Sequence, residues 1–83
     1  MGNKAAFATA LDLWAASRER AVIEVSENAA ALADQGCHDQ AEHFRFVARL
    51  LTVRAVHERA QAAAFRATGQ DVTTPLSPAH TPL

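Results

Sequence analysis

The stretch Gly36-Cys37-His38-Asp39-Gln40-Ala41-Glu42 decides how this chain folds. Glycine tolerates the left-handed backbone that closes a helix, so Gly36 reads as the residue that ends one helix. Asp39 followed three positions later by Glu42 has capping-box spacing, in which two side chains satisfy the unpaired amides at a helix start. A stop followed at once by a start predicts a helical hairpin.

On the N-terminal side of this stretch, Phe7, Leu11, Trp14, Val25 and Leu32, with Ala21, Val22 and Ala29 between them, recur at steps of three and four. That spacing puts them on one face of a helix over about 3–35, with Asn3 as its N-cap. Arg18 interrupts the stripe. Either its aliphatic stem packs at the rim while its head reaches water, or the helix breaks near Ser17 and the chain has three helices. No glycine or proline lies between Gly2 and Gly36, which favours a continuous helix.

On the C-terminal side, Phe44, Val47, Ala48, Leu51, Ala55, Ala62 and Phe65 form a stripe on a second helix over about 39–68, with Gly69 as its stop. Phe7, Trp14, Phe44 and Phe65 all fall at spacings expected of core residues. Phe46, Leu50 and Val53 fall on the far side of the second helix, with His57 beside them, where a single partner helix does not reach. Exposed apolar surface of this kind marks an interaction site. The predicted fold class is therefore all-α: an antiparallel helical hairpin that pairs into a four-helix bundle as a homodimer. Residues 70–83 carry Pro75, Pro78 and Pro82, which exclude helix and central strand, and read as a disordered tail.

Composition narrows the function. The chain has 83 residues, enough for one domain, and 49% of them are hydrophobic. Twenty are alanine, which favours helix but buries little area. A net charge of −1 and a pI near 6.4 argue against a dedicated nucleic-acid binder or a polybasic membrane anchor. The first helix carries a surplus of acids and the second a surplus of arginines, which suits them as neighbours. Cys37 is the sole cysteine and has no internal partner, and Asp12 and Arg18 interrupt any leader-like apolar run. A cytoplasmic protein is expected, without a membrane segment.

The densest chemistry is the cluster Cys37, His38, Asp39, Glu42 and His43. It lacks paired metal-ligand motifs such as C-x-x-C or H-E-x-x-H, and the turn has structural uses for Asp39 and Glu42. No enzyme, metal or cofactor is expected. The function predicted is a small non-enzymatic module for protein binding or self-association, with Phe46, Leu50, Val53 and His57 as its surface. Two alternatives remain open: a small regulator touching nucleic acid through Arg45 and Arg49, and a metal- or redox-responsive hairpin around Cys37–His43.

Overall fold

The computed structural model describes the backbone of residues 2–71 and the side chains of residues 3–68. It contains two helices, α1 (Gly2–Asp34) and α2 (His38–Asp71), packed antiparallel as a hairpin. The described residues are all-α, as the stop-start reading of residues 36–42 requires. From position 72 onward the predicted tail lies outside the described residues.

The turn is a Schellman closure that passes directly into the next helix. Gly36 has φ +85°, the left-handed region. The Cys37 amide donates to the Leu32 carbonyl at 2.8 Å and the Gly36 amide to the Ala33 carbonyl at 3.0 Å, satisfying two carbonyls at the end of α1. The Cys37 carbonyl then accepts from the Ala41 amide at 3.0 Å, the first helical bond of α2. Cys37 therefore closes one helix and caps the next. This moves the start of α2 ahead of the predicted cap. Asp39 lies inside the first turn, where its charge complements the helix dipole, and Glu42 accepts from Arg45 Nη1 at 2.9 Å. The capping box expected from Asp39 and Glu42 is not formed. α2 also continues through Gly69 to Asp71, past the predicted stop.

The helices meet along a heptad seam. On α1, Ala8, Ala15, Val22 and Ala29 recur every seven residues, as do Leu11, Arg18, Val25 and Leu32. On α2, Ala41, Ala48, Ala55 and Ala62 do the same, followed by Phe44, Leu51, Glu58 and Phe65. Every named alanine of these rows is buried. Small side chains at one seam position on both helices let the backbones approach closely, while Leu11, Val25, Leu51 and Phe65 fill the other.

Helix α1 does not break near Ser17, so the three-helix alternative is corrected. The residue that suggested a break has a partner instead. Arg18 Nε donates to both carboxylate oxygens of Glu58 at 2.9 Å, and Glu58 is only 7% exposed. A charge on the seam is tolerated because the opposing helix supplies the opposite charge in the same layer.

The hairpin is one helix thick, 11 Å across its Cα atoms in the thinnest direction. Two helices cannot surround a large side chain, and among the described residues none larger than leucine is buried apart from Glu58. Fully burying a leucine or phenylalanine is worth about 1.5–3 kcal/mol, against about 0.8 kcal/mol for a methyl-sized group. An alanine seam therefore gives a well-ordered contact with little apolar stabilisation behind it.

Candidate interaction surface

Heptad letters, with Ala8 and Ala41 at position a, place every side chain relative to the seam. In an antiparallel pair the e positions of both helices share one flank and the g positions share the other. The ion pairs identify the first flank. Arg59 donates to Glu19 from Nε at 2.8 Å and Nη2 at 2.7 Å, and to Asp12 Oδ1 at 3.2 Å, while Arg66 Nη2 lies 2.7 Å from Asp12 Oδ2. All four residues are at e. The hydrogen bonds from Arg59 hold the Glu19 carboxyl below its ordinary range, and those from Arg18 do the same for Glu58, each outweighing the opposing effect of desolvation.

The hairpin thus has two broad faces of different chemistry. The face built from e and b positions carries Asp12, Glu19, Glu42, Arg45, Arg49, Arg59 and Arg66. A small groove of 250 Å³ lies on it, between Glu19, Val22, Thr52, Ala55 and Val56. The face built from g and c positions carries only Glu24 and Arg54 as charged residues among residues 3–68. It presents Phe7, Trp14, Val47 and Leu50 as its large apolar side chains, with alanines at 10, 21, 31 and 64 and the polar residues Asn3, Ser17, Asn28, Gln40, His43, His57, Gln61 and Thr68 between them. Phe7 stacks edge-to-face on Phe65 with ring centroids 5.1 Å apart. Beside this pair an open groove of 520 Å³ runs between Asn3, Lys4, Ala6, Phe7, Ala10 and Phe65.

The predicted surface residues are all exposed, and they straddle one border of this weakly charged face. Leu50 and His57 occupy c positions on the face itself. Phe46 and Val53 occupy f positions along the outer edge of α2. Leu50 is 54% exposed and Val53 66%.

Phe7 and Trp14 are the corrections. Both were expected in the core, yet they are 47% and 50% exposed. They lie one position before Ala8 and Ala15, so they flank the seam instead of filling it. The signal that separates them from the core is the seven-residue recurrence of alanine on both helices, which a count of apolar steps of three and four does not resolve.

The two alternative sites are placed as follows. Arg45 is held by Glu42, and Arg59 and Arg66 by Asp12 and Glu19, so three of the four arginines on the charged face already have carboxylate partners. Among the described residues, no three of the His, Cys, Asp and Glu side chains come together as a metal-binding group. The half-buried Cys37 serves the turn through its backbone, and the His43 ring lies edge-on to Phe44 with centroids 6.3 Å apart. Among the described residues, no helix is long and apolar enough to cross a membrane.

No known family model, curated protein or solved structure matches this chain.

Proposed function

We propose that this chain is a small non-enzymatic association module, whose hairpin presents apolar helix surface to another protein chain and in the first instance to a second copy of itself. One observation carries the reading. Eight large apolar side chains (Phe7, Leu13, Trp14, Ile23, Phe46, Leu50, Val53 and Val56) are about half exposed or more, on a hairpin whose buried seam is mostly alanine. More large apolar side chain is left on the outside than is enclosed. Small domains with so little core are commonly completed by association. Pairing two hairpins into a four-helix bundle supplies the second layer that a one-layer structure lacks.

Light scattering on the full chain tests the proposal. The expected mass is twice the 8.9 kDa of one chain, falling to 8.9 kDa in the Leu50→Glu variant with helix content retained. A single-chain mass at high micromolar concentration sinks it.

A further inference from the structure

We infer that the second copy docks on the broad face formed by the c and g positions, against Phe7 and Trp14 of α1 and Val47 and Leu50 of α2, and not along the outer edge of α2 at Phe46 and Val53. This rests on the self-association reading above and states where the contact lies.

Three observations favour this face over every other. The first is the distribution of charge. Seven charged residues lie at e and b positions, tied mostly into a network, whereas the c and g positions among residues 3–68 hold only Glu24 and Arg54. Covering the charged face desolvates ion pairs that water now serves, and the desolvation cost of such groups often exceeds their attraction. The c and g positions hold one acid and one base, with Lys4 lining the groove as a further charge, so two copies apposed through this face desolvate far fewer charges than through the other.

The second is shape. A twofold interface uses the same patch on both partners, so the patch must carry both projections and recesses. The c/g face has the half-exposed Trp14 and Leu50 as projections, and it has the open groove beside Phe7 and Phe65 as a recess. The edge of α2 at Phe46 and Val53 is a ridge one helix wide, built from f positions that point away from the seam.

The third is area. Helices of 33 and 34 residues make a face about 50 Å long, and two helices about 10 Å across make it about 20 Å wide. Its footprint is about 1,000 Å², against about 800 Å² per partner in a stable interface. A ridge one helix wide presents about half of that.

Trp14 is the sole tryptophan, so it reports on the face directly. The test follows mass by light scattering and tryptophan emission together across a dilution series of the full chain. The expected result is a fall from dimer to single-chain mass, accompanied by a red shift of emission and easier quenching by acrylamide. Trp14→Glu abolishes the dimer, while Val53→Glu and Val56→Glu retain it, with circular dichroism confirming that each variant stays helical. A dimer that dissociates with no change in Trp14 emission, or that survives Trp14→Glu and is lost in Val53→Glu, overturns the placement but keeps self-association. A chain that is monomeric at every concentration overturns both. Emission from wild-type protein needs no variant to fold, so the placement stays testable even if Trp14→Glu unfolds the hairpin.

Discussion

Arg18 and Glu58 face each other across a seam layer in which neither helix offers an apolar side chain, with Arg18 Nε 2.9 Å from both carboxylate oxygens. The neighbouring layers on α1 hold Leu11 and Val25, and those on α2 hold Leu51 and Phe65. Sliding one helix by a heptad keeps alanine against alanine but sets Arg18 against an apolar residue and Glu58 against another. The pair therefore penalises every slipped pairing that the alanine rows alone would allow. This is the use of buried polar groups with the best physical footing: register, at some expense of stability.

The first prediction concerns that pair. Glu58→Leu alone leaves Arg18 in the seam with no partner and lowers the melting temperature more than the double change Arg18→Leu with Glu58→Leu. The double variant melts at or above wild type but loses uniqueness, seen as extra or broadened amide peaks in a two-dimensional NMR spectrum. A double variant with a single sharp peak set removes the register argument.

Acid stability is the second. Hydrogen bonds from Arg18 and Arg59 lower the folded pKa of Glu58 and Glu19, while an unfolded glutamate titrates near 4.3. A depressed folded pKa stabilises above the unfolded value, and that contribution disappears as pH falls through the folded pKa. Thermal stability should therefore stay level from pH 7 to about 5 as far as these two groups are concerned, then decline below about 4.3. The Arg18→Leu, Glu58→Leu double variant should decline less. Circular dichroism melts at intervals of half a pH unit measure both curves.

The turn gives the third. A Cβ added at Gly36 meets nothing within 4 Å, yet its φ is +85°. The whole penalty of Gly36→Ala is therefore conformational, about 1–2 kcal/mol for an ordinary residue held in the left-handed region. Gly36→Asn should lose less, because asparagine tolerates that region better. Urea denaturation of the three proteins ranks them, and an alanine variant as stable as wild type would falsify the Schellman assignment.

Fourth, the alanine rows set how closely the helices approach. Ala55→Leu places three further carbons in a site already 98% enclosed, since Ala55 is 2% exposed. Overpacking of this kind costs about 1–3 kcal/mol. The same substitution at exposed Ala60 should leave urea stability within about 0.5 kcal/mol of wild type. Equal effects at the two positions contradict the seam.

Much of this architecture is legible in the residues, and what is not has a definite cause. Gly36 announces the turn because few residues accept its backbone conformation. The start of α2 is less legible because Cys37, a weak side-chain cap, does the capping through its carbonyl, while Asp39 and Glu42 have the right spacing at the wrong place. Arg18 looks like a fault when α1 is read alone and becomes sensible only with Glu58, forty residues on, whose own position on the stripe is hidden by its charge. Phe7 and Trp14 mislead because size suggests a core residue, whereas the seam row beside them takes alanine and they fall one position to its flank. Of the surface residues, Phe46, Leu50 and Val53 are legible because they lie far from the seam by simple helical geometry. The division into a highly charged and a weakly charged face is not, since it depends on which flank of each helix the hairpin brings together.

The three-residue connection at Gln35–Cys37 also sets the order in which the hairpin closes. Leu32 and Phe44 occupy the layer nearest the turn, only twelve residues apart, whereas Leu11 and Phe65 are separated by more than fifty. Loop-closure entropy is smallest for the first and grows with each layer, so the chain zips from Gly36 outward and each new layer starts from ends already held close. The same gradient runs in reverse during opening. Amide exchange should be slowest around Leu32, Ala41 and Phe44 and fastest at the far end, where the Phe7–Phe65 stack is the last clasp to form and the first to let go.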